Sequence, residues 1–236
     1  MAFAEVFCPR PQRARFLLWG ALLCQWRQAA LELSDASPTQ VKCGWWAEEA
    51  QYAGNGAPRH PLTIALAQPG LPWRELATAM LVMASADDAR PADGEAALAT
   101  VAPLATAIAT IEGALFDAPT DAAVARAVAV NLLGERMRIG RESRAGGRLP
   151  LALLARHGLT GADLDGDRGQ GARADWAREL AAALPAEPLP ASLYRRCRRA
   201  FDAALLQASA GGRNRPLPPL RALRLAWRAA RRRGSG

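Results

Sequence analysis

Apolar residues recur at spacings of three and four along nearly the whole chain, and runs of alternating apolar and polar residues are almost absent. That period belongs to amphipathic helices rather than to half-buried strands. Turn residues cut the pattern into segments. A first helix is expected from Gln12 to Leu33, stopped by Ser34-Asp35-Ala36-Ser37-Pro38. A second covers 38–52 and breaks at Gly54-Asn55-Gly56, and His60-Pro61 opens a short helix to Leu66. Pro69-Gly70 and Pro72 precede a helix over 72–84, and a polar loop over 85–94 leads to a helix over 94–116. Pro103 should kink that helix or remove one backbone bond. Thr120 is placed to N-cap a long helix reaching Arg141. Pro150 starts a short helix to Arg156, followed by a Gly- and Asp-rich loop over 158–172. Helices over 173–184, 190–209 and 219–233 complete the chain. Neither a repeat nor a strong domain boundary interrupts the pattern, so residues 1–236 are expected to form one all-α bundle with short connections.

Composition sharpens this picture in two ways. Alanine and leucine dominate while β-branched residues are sparse, which favours helix throughout. The net charge of +8 is unevenly placed: residues 195–236 carry twelve arginines against the single acid Asp202, a net +11, leaving −3 for the first 194 residues. Such asymmetry points to an anionic partner, membrane surface or nucleic acid. Arg10, Arg13 and Arg15 before the apolar run 16–24 mimic a signal peptide, but bulky Leu23 before Cys24 and the helical continuation through Trp26-Arg27 favour a first core helix. No apolar stretch is expected to reach the roughly 18 residues of a membrane span. Cysteines at 8, 24, 43 and 197 match no zinc spacing and read as free thiols in a reducing cytoplasm.

Several clusters carry candidate chemistry. Asp87-Asp88 is an adjacent acidic pair that could hold a metal only weakly, because neighbours on a loop do not make a cradle. Asp163, Asp165 and Asp167 have the first three spacings of a calcium loop, but Arg168 replaces its glycine and Ala174 its final glutamate, which excludes that site. Arg136, Arg138, Arg141, Arg144 and Arg148 form a basic series suited to bidentate phosphate contacts, or to a solvated helix end. Trp45-Trp46 supplies one core aromatic and one left open, and His157 is expected to cap or pack at its helix end. In the last helix, Leu220, Leu223, Trp227 and Ala230 recur at spacings of three and four, flanked by Arg221, Arg224, Arg228 and Arg231. Such a basic amphipathic helix lies on an anionic membrane, or packs on the bundle with its arginines solvated.

Leu18-Trp19-Gly20-Ala21 through Arg27, Trp45-Trp46-Ala47-Glu48-Glu49, His60-Pro61-Leu62, Gly147-Arg148-Leu149-Pro150, His157-Gly158-Leu159 and Pro219-Leu220-Arg221-Ala222-Leu223 follow one another in order. Together they resemble the squalene and phytoene synthases over nearly the whole chain. The resemblance implies an isoprenoid-synthase bundle whose central cavity, in active members, holds two prenyl diphosphates through Mg²⁺ bound by two aspartate-rich motifs. It also implies a phosphate contact at Arg148, whose position matches the family; Arg27, Arg138, Arg141 and Glu142 are the other substrate- or phosphate-binding candidates. The motifs themselves are missing. Gln25 to Glu32 holds no carboxylate pair one turn apart, and Ile139 and Ser143 stand where the second motif's aspartates are expected, leaving Glu142. A hard cation cannot exchange carboxylates for apolar groups.

The expected function is therefore that of a non-catalytic accessory protein without a cofactor, binding an isoprenoid or lipid, or resting at the inner face of a membrane from the cytoplasm. Degenerate members of the resembled family serve as assembly factors for respiratory complex I, which adds a protein partner to the expectation. Prenyl lipid, prenyl diphosphate and an anionic membrane surface are the other partners. One alternative is an active Mg²⁺-dependent head-to-head prenyltransferase with relocated acids. Another is a nucleic-acid-binding module, disfavoured because no recognition motif accompanies the charge.

Overall fold

A computed structural model describes residues 2–32, 36–85, 90–139, 148–165, 167–213 and 215–231. Among these are ten α-helices and no strand: α1 Arg13–Arg27, α2 Ala36–Gly54, α3 Pro61–Leu66, α4 Trp73–Ser85, α5 Gly94–Phe116, α6 Ala122–Ile139, α7 Leu151–Arg156, α8 Gln170–Ala183, α9 Leu193–Ala210 and α10 Pro219–Arg231. The protein is all-α, as the helical periodicity predicts. Pairwise packing runs α2 on α4, α4 on α5, α5 on α6, and α6 and α8 on α9, while α10 lies across α9 and an N-terminal 3₁₀ segment, Ala2–Phe7.

Aromatic packing holds one side of the bundle. Trp26 is buried at the end of α1 and meets Trp19, Trp46 and Trp73 edge to face at 5.6, 6.4 and 6.1 Å. Edge-to-face geometry sets each ring's positive rim against its neighbour's negative face. This cluster locks α1, α2 and α4 together. Of the tandem tryptophans Trp46 is buried and Trp45 is 43% exposed, so one is core and the other remains at the surface.

Local deviations from the expected elements have physical causes. The first helix changes to a π-helical turn at Gln28–Glu32, and the carbonyl of Ala29 accepts the Cys43 thiol at 3.4 Å. Pro103 leaves α5 as one helix, because it and Ala99, whose carbonyl loses its partner, both sit on the exposed face. Thr120 does not cap α6. Its hydroxyl turns back to the carbonyl of Ala109 on α5, and the carboxylate of Asp121 accepts the Val124 amide at 2.8 Å instead. His60 caps α3 by accepting from the Leu62 amide at 3.2 Å. The loop expected over 158–172 contains two 3₁₀ turns, Gly161–Asp165 and Asp167–Gly169.

The expectation that no stretch has the length of a membrane span needs correction. By length and composition α5, with 23 residues, is long and apolar enough to cross a membrane. Val101, Leu104, Ile108, Ile111 and Leu115 are nonetheless buried against neighbouring helices, and the helix carries a buried salt bridge from Glu112 to Arg195. These are the marks of a core helix.

Candidate functional site

Two polar clusters lie where α1, α5, α6 and α9 meet. In the first, Glu112 of α5 is 1% exposed and accepts four hydrogen bonds. They come from Trp19 Nε1 at 2.9 Å, Ser192 Oγ at 2.7 Å, and Arg195 Nη2 and Nε at 2.6 and 3.3 Å. Ser192 also caps α9, accepting the Arg195 amide at 3.0 Å. A buried carboxylate is tolerable only when paired and fully hydrogen-bonded, and Glu112 meets both conditions.

The second cluster centres on Glu135 of α6. Arg138 reaches its Oε1 at 3.2 Å, Arg198 pairs with the same oxygen, and Arg27 lies 3.6 Å from Oε2. Arg198 also donates to Asp202 at 3.0 Å, and Asp202 accepts from Asn131 at 3.1 Å. Burial pushes the Glu135 carboxyl up, but Arg198, Arg27 and Arg138 outweigh it and hold the carboxyl below its ordinary value of 4.5. Burial raises Asp202 instead. Because Glu135 is lower in the folded state, the unfolded chain takes its proton first as pH falls. The stability from Glu135 is present above pH 4.5 and is lost below it, while Asp202 acts in the opposite sense. Thermal midpoints measured from pH 6 to 3 should therefore fall less steeply for Glu135→Gln than for the wild type. Identical acid limbs would show that Glu135 is not depressed.

A cavity of about 220 Å³ opens beside these clusters. Arg27, Arg195 and Arg198 form its cationic side, and Leu23, Ile108, Val128 and Leu132 its apolar side. Tyr194 also faces it, its hydroxyl pushed up to about 12 by burial. The volume equals that of about seven liquid waters and lies below the roughly 300–1,000 Å³ of sites for drug-sized ligands. Such a space is too small for two prenyl diphosphates, and its arginines are already paired with Glu112, Glu135 and Asp202.

The sequence-predicted residues separate into several places. Arg27 and Arg138 converge on Glu135, but only Arg27 lines the cavity. Arg148 lies elsewhere, in a left-handed conformation beside Arg90, whose pKa is lowered by burial and by the charge of Arg148. Arg141, Glu142, Ser143, Gly147, Asp87 and Asp88 lie outside the described residues, as does the side chain of Ile139. His157 pairs with Asp175 at 3.0 Å, tying α7 to α8. Asp163 spends its oxygens on Thr160 and Arg168. Among the described residues, no three His, Cys, Asp or Glu side chains converge to hold a metal ion. Glu135 is instead gripped by three guanidinium groups, which supply the positive charge a carboxylate in that position would otherwise seek.

Sequence reasoning missed Glu112, Asn131, Glu135, Arg195, Arg198 and Asp202. The available signals were an acid in the apolar interior of a helix, the one-turn spacing of Asn131 and Glu135, and that of Arg198 and Asp202. Part of the positive charge of the basic C-terminal segment is spent inside the bundle. Arg195, Arg198 and Arg199 are consumed internally, by Glu112, by Glu135 and Asp202, and by Glu187. The outward-facing charge is concentrated on α10.

On α10 the structure divides the residues into three faces. Ala222, Ala226 and Ala229 are buried against the bundle, where the Ala226 carbonyl accepts the Cys197 thiol at 3.9 Å. Leu220 is 82% exposed, and Leu223 and Trp227 are 39% and 44% exposed. Arg221, Arg224, Arg228 and Arg231 are exposed beside them, with Arg231 over the Trp227 ring at 4.8 Å. The bundle thus takes the alanine face, and the leucine–tryptophan stripe remains uncovered.

No protein-family model matches the chain, and no curated protein sequence matches it.

Proposed function

We propose that this protein is a non-catalytic accessory protein that rests on an anionic membrane surface through α10. The observation that carries the reading is the helix's use of its alanines for docking. Leu220, Leu223 and Trp227 are left outward, bordered by four arginines. Apolar side chains can enter the acyl boundary while neighbouring arginines reach lipid phosphates, each adding about 1 kcal/mol near an anionic surface. The anionic leaflet facing the cytoplasm is the surface this chemistry fits. A degenerate squalene/phytoene synthase-like origin is part of the proposal, supported by the ordered motifs and the all-α bundle. The three arginines on Glu135 and the small interior cavity favour a non-catalytic role and move lipid contact from the interior to α10.

The test is flotation of the full chain with vesicles of phosphatidylcholine alone and with phosphatidylglycerol added. Binding should require the anionic lipid and weaken as salt rises. Leu223→Glu/Trp227→Glu should reduce partitioning at least about tenfold, since it places charge in the insertion face without touching the alanine face. Failure to float with anionic vesicles, or Mg²⁺-dependent condensation of farnesyl diphosphate by the purified protein, would overturn the reading.

A further inference from the structure

Beside the outward face of α10 lies a second feature, a groove of about 700 Å³ between α9 and α10. Arg221, Arg224 and Arg228 line its α10 wall, and Ala200, Ala203, Ala204 and Gln207 its α9 floor. The three arginines stand at i, i+3 and i+7, which places their origins along about 10 Å of helix. None of the three has an ion-pair partner among the described residues, unlike Arg195, Arg198 and Arg199. The acid that borders the groove, Glu187, is engaged by Arg199.

We infer that this groove binds one molecule of an anionic phospholipid, with its phosphate on the guanidinium groups and an acyl chain along the alanine floor. The inference rests on the membrane reading above and adds a discrete lipid site to it. Charge complementarity selects an anion, because three guanidinium groups without an ion-pair partner among the described residues offer bidentate donors to phosphate oxygens. The floor selects an amphiphile, because the alanine methyl groups with Leu225 and Pro218 beside them dominate it and Gln207 adds only a neutral amide. The volume falls within the range of small-ligand sites. Leu220 lines the groove and is also the most exposed apolar residue of α10, so the floor leads out to the membrane-facing surface.

The experiment titrates the full-length protein, without vesicles, with dihexanoyl phosphatidylglycerol below its micelle concentration. Deacylated glycerophosphoglycerol and dihexanoyl phosphatidylcholine serve as the two comparison ligands. Saturable binding of the anionic lipid, at least about tenfold tighter than either comparison ligand, is expected. Ala203→Phe should fill the groove and lower affinity at least about tenfold, while vesicle flotation stays within about a factor of two. Should Ala203→Phe lose its fold by circular dichroism, Arg221→Gln on the exposed wall carries the same expectation for the titration. Equal binding of the deacylated ligand would reduce the groove to an anion site and overturn the inference. Absence of saturation, or wild-type affinity in the variants, would do the same. Flotation failing while the titration saturates removes the attachment reading and leaves the groove. The reverse result removes the groove and leaves the attachment.

Discussion

Replacing Glu112 by alanine should destabilise the protein by about 3–5 kcal/mol, because it leaves the Arg195 guanidinium buried without its counter-charge. Both side chains are 1% exposed, so solvent cannot take over the role of the missing carboxylate. The same substitution strips partners from Trp19 Nε1 and Ser192 Oγ. For a chain of this size the thermal midpoint should fall by about 6–20 °C. Removing both charges together should cost less, since an apolar pair of similar volume avoids the desolvation penalty on each ion. The double variant Glu112→Met/Arg195→Met should therefore be more stable than Glu112→Ala. Thermal and denaturant unfolding of the two variants decides the matter. A Glu112→Ala protein within about 1 kcal/mol of the wild type would show that the pair is not buried as described.

Gly113→Ala should be the second most damaging change, against the usual trend. Alanine in place of glycine inside a helix ordinarily stabilises by about 0.5–1 kcal/mol. Here a Cβ would stand 2.0 Å from Thr120 Oγ1 and 3.0 Å from the Ala118 carbonyl. Asp117, left-handed at φ 48°, turns the chain back so tightly that the following turn occupies the space over Gly113. Overpacking of this kind costs about 1–3 kcal/mol. Adding Thr120→Ala should recover part of the loss by removing the hydroxyl, though the Ala118 carbonyl stays close. Unfolding of the two single variants and the double measures the coupling, and a neutral or stabilising Gly113→Ala would contradict the close approach.

The helix positions were readable because local signals and tertiary packing agree along most of the chain. Asp-Ala-Pro-Thr at 117–120 and the glycines and prolines of 211–219 end helices where the backbone turns. Thr120 misled because a hydroxyl can either accept a helix-start amide or donate to a carbonyl, and the close approach to α5 gives it the Ala109 carbonyl as acceptor. The last helix misled in a more instructive way. Periodicity correctly marks Leu220, Leu223 and Trp227 as one stripe, but it does not say whether the bundle or the surroundings receives it. Small alanines can approach α9 closely, and that contact settles the orientation. The interior polar clusters were hidden for another reason. Glu112 meets Trp19, Ser192 and Arg195 across separations of 93, 80 and 83 residues, so no local window contains the pattern. Net charge concealed it as well, since an arginine consumed inside the bundle counts the same as one at the surface.

Those separations bear on how a ribosome can deliver the chain. Glu112 enters α5 long before Ser192 and Arg195 are synthesised, and until α9 emerges its carboxylate lacks three of its four donated hydrogen bonds. The segment before Ser192 therefore cannot close its interior around that group without stranding a charge or protonating it. Domain-by-domain consolidation during synthesis has no natural halfway station here. Closure of α1 and α5 around Glu112 is therefore expected to wait until Ser192 and Arg195 are available.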